Sequence, residues 1–95
     1  MTRTEILDAA KRCVCGDREQ DYGSPEDSFG RVAALWNAYL GDRLAAHILP
    51  EDVAAMLALL KIARIASGHA KEDNWVDLAG YAACGGEIET SALEV

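Results

Sequence analysis

Apolar residues recur three and four positions apart along most of this chain, which is the spacing of one face of an α-helix. The pattern predicts four helices, at about residues 4–15, 25–40, 50–67 and 74–89. No stretch shows the regular alternation of apolar and polar residues that is typical of a half-buried strand. We therefore predict an all-α, four-helix bundle-like domain, with its core between about residues 4 and 89 and a frayed tail at 91–95.

Local signals at the ends of the predicted helices support these boundaries. Ser24 followed by Pro25 is a typical helix start, and Pro50 opens the third helix by the same logic. Either Asp73 or Asn74 is expected to cap the fourth helix. The predicted ends of the first three helices are Gly16, Gly41 and Gly68.

The length and composition bound the size of the core. A chain of 95 residues is enough for one domain, which we take to span residues 1–95. Seventeen of these residues are alanine, so the core should be thin, and association between copies of the chain would add to it. Trp36 and Trp75 lie on apolar stripes of different helices and are both predicted to be buried.

The charge balance narrows the range of partners. The net charge is −7, which disfavours binding to duplex nucleic acid, although an acidic protein can still bind a nucleotide together with Mg²⁺. No apolar run approaches the roughly 20 residues of a membrane span, so no membrane partner is expected. The three cysteines are widely spaced and no secretion signal precedes them, which predicts a reduced, cytoplasmic protein.

Two cations interrupt the apolar pattern of the third helix. At about 100° per residue, and with Val53 as zero, Arg64 lies at about +20° and Lys61 at about +80°. Arg64 is therefore predicted to point along the apolar stripe and Lys61 to lie at its edge. A cation directed at a core costs several kcal/mol unless it is paired, so an anionic partner is required.

The fourth helix has two apolar stripes on nearly opposite sides. Trp75 begins one stripe, and Tyr81 lies on the other together with Asp77, with Asp73 one turn earlier. A helix that is apolar on both sides is either central in its domain or placed between subunits, which adds to the expectation of a homodimer. The simplest arrangement places the two aspartates opposite the two cations of the third helix.

Such a cluster has two interpretations. It can be a buried salt-bridge network that locks the two helices together, in a non-enzymatic helical interaction module. Alternatively, the aspartates can share Mg²⁺ and the cations can hold a polyphosphate. In the loop before the second helix, Asp21 could add a carboxylate and Tyr22 could stack on a base, although the same residues are also typical of a plain turn.

The motifs in order resemble a family of small phage and prophage domains over about residues 5–89. The resemblance depends on Asp21-Tyr22-Gly23, on Lys61-x-x-Arg64 and on Asp73-x-x-x-Asp77-Leu78-x-x-Tyr81. The same arrangement looks like the nucleotide-modification-associated domains of phages. More distantly, it is similar to the MazG-like nucleoside triphosphate pyrophosphohydrolases, which are helical oligomers that use Mg²⁺ to release pyrophosphate.

That resemblance implies a role for each motif residue. Asp73 and Asp77 would hold Mg²⁺, and Asp77 and Lys61 would take part in catalysis. The substrate contacts would be Lys61, Arg64, Asp21, Tyr22 and Tyr81. The sequence departs from the MazG pattern because cations stand on the third helix where acids are expected, and because the two aspartates are four residues apart. Turnover and binding without turnover therefore both remain open.

Overall fold

A computed structural model describes residues 1–17, 20, 23–68 and 71–93 of the chain. Within these ranges the chain forms four α-helices and no strand, which confirms the predicted all-α class. The helices are α1 (Arg3–Arg12), α2 (Pro25–Leu40), α3 (Pro50–Ala66) and α4 (Glu72–Leu93). A π-helical turn, Cys13–Asp17, follows α1, and a 3₁₀ turn, Gly41–Arg43, follows α2.

Side chains cap the first two helices at their N-termini. The hydroxyl of Thr2 accepts a hydrogen bond from the backbone N–H of Glu5 at 3.1 Å, and the Glu5 carboxylate accepts one from the Thr2 N–H at 3.2 Å. The Ser24 hydroxyl accepts a bond from the N–H of Asp27 at 3.3 Å, and Pro25 is the first residue of α2, as predicted. These contacts satisfy N–H groups that have no partner inside the helix.

The start of α3 and the ends of α2 and α3 also follow the sequence signals. Pro50 is the first residue of α3, and the Asp52 carboxylate accepts a bond from the Leu49 N–H at 2.9 Å. Gly41 and Gly68 have φ angles of 50° and 86°. Glycine adopts positive φ angles with little steric strain, and a residue in this conformation ends the helix.

Three predicted helix ends are wrong. Gly16 does not end the first helical segment, which continues as the π-helical turn to Asp17. The last helix begins at Glu72 rather than after a cap at Asp73 or Asn74, and it extends to Leu93. Residues 91–93 are thus part of this helix, and residues 94 and 95 of the predicted frayed tail lie outside the described residues.

The core lies where α2, α3 and α4 meet. Its buried residues are Phe29, Ala33, Val53, Ala54, Cys84 and Ile88. Helices α3 and α4 run antiparallel, since Ala54 lies beside Gly85 and Lys61 lies beside Asp77. The π-helical turn packs on α4, where a Cβ added to Gly80 would lie 3.0 Å from Val14 Cγ1.

The faces that α3 and α4 bury differ from those expected. Trp75 is 48% exposed, so its predicted burial is wrong, and the core face of α4 is instead the stripe that contains Tyr81 and Cys84. On α3, Arg64 is exposed whereas Lys61 is buried. The buried side of α3 therefore extends from Val53 toward Lys61 and does not include Leu60.

Within the described ranges, no helix is both long and apolar enough to cross a bilayer.

Candidate functional site

The α3–α4 interface contains a close ion pair. Lys61 Nζ lies 2.8 Å from Asp77 Oδ2, and the two side chains are 10% and 34% exposed. The aliphatic stem of a lysine can pack against apolar neighbours while its ammonium reaches a charged partner. The sequence correctly required an anion for a buried cation on α3, but that cation is Lys61 and not Arg64.

The other two members of the predicted cluster lie outside this pair. Arg64 is exposed in the last turn of α3, and its carbonyl accepts a hydrogen bond from the Ser67 hydroxyl at 2.7 Å. Asp73 is exposed in the first turn of α4, one turn before Asp77. The fold therefore brings Lys61 and Asp77 together and leaves Arg64 and Asp73 at the surface near the same end of the α3–α4 pair.

Asp77 also borders a crevice between the π-helical turn, α2 and α4. The space in this crevice that water can reach is about 10 Å³, which is room for about one water molecule and far below the volume of a typical ligand site. Its lining residues are Cys13, Val14, Phe29, Val76, Asp77, Gly80, Tyr81 and Cys84. The Tyr81 ring packs on Phe29 with a centroid distance of 6.4 Å. The crevice is thus an apolar slot with a carboxylate and a phenol at its edge.

The predicted contacts of Asp21 and Tyr22 fall outside the described residues. Within the described ranges, no group of three or more histidine, cysteine, aspartate or glutamate side chains is placed to hold a metal ion. A magnesium ion commonly binds through one or two protein carboxylates and completes its shell with water and phosphate oxygens. Asp77 is the partly exposed carboxylate of the ion pair and could provide one such ligand.

Two buried or bridging amides were missed by the sequence analysis. The Asn37 side chain donates to the Ile48 carbonyl at 2.9 Å and accepts from the Ile48 N–H at 2.7 Å, which ties the segment before α3 to α2. Asn74 is buried in the first turn of α4. In the sequence, the only signal for Asn37 is a polar residue beside the apolar positions Ala33 and Trp36.

Comparison with known proteins identifies a family and two phage relatives. The model of a domain of unknown function, DUF6378, matches residues 5–89. The Gene 55 protein of Mycobacterium phage L5 is 44% identical over 77 residues, which are 81% of this chain and 47% of that protein. The Gene 55 protein of Mycobacterium phage D29 is 35% identical over 89 residues, which are 94% of this chain and 56% of that protein.

The chain thus spans about half the length of these curated relatives. No solved structure shows significant similarity to it. The comparisons confirm the resemblance to a family of phage domains, whereas the similarity to MazG-like enzymes stays a prediction.

Proposed function

We propose that this chain, which belongs to the DUF6378 family and has relatives in two mycobacterial phages, is a phage nucleotide-binding domain of MazG-like type. Its ligand would be a nucleoside triphosphate with Mg²⁺, bound at the Lys61–Asp77 pair. Hydrolysis of that ligand to the monophosphate and pyrophosphate is the reaction implied by the resemblance.

The observation that carries this proposal is the unequal burial of the ion pair. The Lys61 side chain is 10% exposed, whereas a third of the Asp77 side chain remains open to solvent beside the crevice. The contact between the buried ammonium and Oδ2 fixes the orientation of the Asp77 carboxylate. The other oxygen of this carboxylate is thereby held in position before a ligand binds. A carboxylate fixed in this way is suited to bind a cation that also contacts phosphate oxygens.

The neighbouring residues of the two helices supply the remaining roles. Arg64 lies three residues after Lys61 and is exposed, so it would contact the phosphates from the solvent side. Asp73 would add a second carboxylate to Mg²⁺, and Tyr81 would contact the base or sugar at the crevice. Asp21 and Tyr22 would complete the substrate contacts, as the resemblance implies.

Each of these groups would act on the charge of the triphosphate. Bound Mg²⁺ would polarise the phosphate oxygens and provide an activated water. Asp77 would orient the ion, and the 2.8 Å contact with Lys61 would hold the Asp77 carboxylate in position. The ammonium of Lys61 and the guanidinium of Arg64 would offset the negative charge that develops on the leaving group.

A second candidate function is a non-enzymatic helical interaction module. It is favoured by the short Lys61–Asp77 contact, which satisfies both charges without any ligand. In that case the pair would only lock α3 to α4.

Thermal unfolding distinguishes the two functions. A nucleoside triphosphate at 100 times its Kd should stabilise the native protein by about 2.7 kcal/mol, which corresponds to a Tm increase of roughly 10 °C or more for a domain of this size. The increase should require both nucleotide and Mg²⁺. We would screen the common ribo- and deoxyribonucleoside triphosphates, each with and without Mg²⁺.

The informative variant is the double substitution Lys61→Met with Asp77→Asn, since it removes both charges and leaves neither one unpaired. It should fold and lose the nucleotide-dependent shift. Glu89→Gln changes an exposed carboxylate on the same helix and should keep the shift. If no nucleotide stabilises the wild type, or if the double variant responds equally, the nucleotide proposal is wrong and the interaction module is preferred.

A further inference from the structure

Helix α3 has an unusual distribution of charge between its two sides. Between Val53 and Ala66 its only charged residues are Lys61 and Arg64. With Val53 as zero they lie at about 80° and 20°, on the same half of the helix as the buried residues Val53 and Ala54. The opposite half, from about 180° to 340°, contains no charge in this stretch. We call this half the outer α3 face, and its residues are Ala55, Met56, Leu59, Leu60, Ile62, Ala63 and Ala66.

Every residue of the outer α3 face is exposed in the single chain. Its four large side chains are Met56, Leu59, Leu60 and Ile62, and Leu59 is 62% exposed. The inner side of α3 packs on the core through Val53 and Ala54, and a helix with apolar residues on its opposite side as well is normally covered on both sides. Large contiguous apolar patches are also rare on monomeric proteins and commonly mark interfaces.

The total surface of the chain leads to the same conclusion. A compact monomer of 10.2 kDa would expose about 5,300 Å², whereas this chain exposes 6665 Å². The difference of about 1,300 Å² exceeds the roughly 800 Å² that each partner buries in a standard interface. The radius of gyration is 14.2 Å, compared with about 12.4 Å for a compact domain of this length.

We infer that a second copy of this chain covers the outer α3 face, so that α3 lies at the centre of a two-fold symmetric dimer. The same face on both copies would meet itself, as a two-fold interface requires. Ala55 and Ala63 allow the two helices to approach closely, and the large side chains between them fill the contact. The net charge of −7 is kept off this face between Val53 and Ala66, and the exposed carboxylate of Asp52 lies on the same side only at its N-terminal end.

The thin core explains why the partner should be the chain itself. Of the six residues in the core cluster, two are alanine and one is aromatic. Among the described residues only Val53 is both large and fully buried. Such a core leaves a small domain marginally stable, and a copy of the same chain is always present to supply the missing apolar contacts. The dimer does not depend on the nucleotide proposal.

Sedimentation equilibrium over a range of micromolar concentrations tests this inference on the wild-type chain. The expected mass is twice the 10.2 kDa of one chain. A mass of one chain at all these concentrations would overturn the inference without any variant.

Two matched substitutions then locate the interface. Leu59→Glu places a charge on the outer α3 face, and Leu7→Glu places one on α1 at a residue with the same 62% exposure. Leu59→Glu should sediment as a monomer or lose its helical circular dichroism signal because the chain unfolds. Leu7→Glu should keep both the helical signal and the dimer mass. If Leu59→Glu stays a dimer, or if both variants dissociate equally, the outer α3 face is not the interface.

Discussion

Gly85 of α4 lies directly against Ala54 of α3, and a Cβ added to Gly85 would be 2.9 Å from the Ala54 Cβ. This distance is shorter than real Cβ atoms tolerate, so the two helix backbones can approach this closely only because residue 85 has no side chain. The contact lies in the core, since Ala54 and the neighbouring Cys84 are both buried. It fixes the spacing of the helix pair that contains Lys61 and Asp77.

Gly85→Ala should therefore destabilise the fold. Overpacking typically costs about 1–3 kcal/mol, and the better helix propensity of alanine returns only about 1 kcal/mol. Gly86→Ala is the matched control, because a Cβ at Gly86 would meet nothing within 4 Å. Urea unfolding at equal protein concentration should show a loss for the first variant and a gain of up to about 1 kcal/mol for the second. Equal effects at both positions would show that α3 and α4 do not meet at Gly85.

The ion pair should respond asymmetrically to removal of its two charges. Asp77→Asn leaves a buried ammonium without its counter-charge and should cost on the order of 2–3 kcal/mol, somewhat below the range for fully buried pairs because Asp77 is partly exposed. Lys61→Met leaves a carboxylate that water can reach, so it should cost less. The double variant should recover most of the loss from Asp77→Asn.

Urea unfolding of the wild type, both single variants and the double variant gives the coupling energy directly. Arg64→Met serves as a control for charge on the same helix and should change stability by less than about 0.5 kcal/mol, because Arg64 is exposed. If Arg64→Met proves as costly as Asp77→Asn, Arg64 rather than Lys61 is the buried cation.

The two tryptophans should differ in solvent access. Trp36 is half-buried and packs against the core cluster, whereas Trp75 is exposed. In Trp36→Phe the remaining Trp75 fluorescence should be quenched strongly by iodide, and in Trp75→Phe the remaining Trp36 fluorescence should be quenched less. Stronger quenching of Trp36 would contradict the orientation of α4.

Glu5 should titrate below its ordinary range. Its pKa is lowered from 4.5, chiefly by the hydrogen bond from the Thr2 backbone N–H and secondly by the Thr2 side chain. Because the pKa is lowered in the folded protein, the contact stabilises the fold fully at pH values above the ordinary pKa. This stabilisation is lost as the pH falls through the folded-state pKa. Side-chain NMR titration should show this, and Thr2→Ala should move the Glu5 pKa part of the way back. An ordinary Glu5 pKa in the wild type would argue against the reciprocal hydrogen bonds between Thr2 and Glu5.

Local signals predicted the position of α2 well but could not choose the buried side of α3. The order Ser24, Pro25 and Gly41 specifies both ends of α2 through capping and backbone conformation, which depend on adjacent residues. On α3 nearly every residue is apolar, so periodicity alone gives several equivalent faces. The choice of Lys61 over Arg64 is made by the approach of Asp77 on α4, which is a tertiary contact.

The same ambiguity explains the error at Trp75. Two apolar stripes on α4 were recognised, but the sequence does not state which of them meets α3. A small residue decides it, because Gly85 allows Ala54 of α3 to approach closely on the side that contains Cys84, and Gly80 allows Val14 of the π-helical turn to approach nearby. Glycines in a helix interior were the available signal for that side, since they lower helix propensity unless a packing contact compensates.

Isothermal titration of a nucleoside triphosphate into the wild-type chain in the presence of Mg²⁺ tests the proposed function most directly. We predict saturable binding at one site per chain that requires Mg²⁺ and is lost in the double variant Lys61→Met with Asp77→Asn. The Glu89→Gln chain should bind as the wild type does. Absence of binding to the wild type at millimolar nucleotide, or undiminished binding to the folded double variant, would contradict a nucleotide site at Lys61 and Asp77.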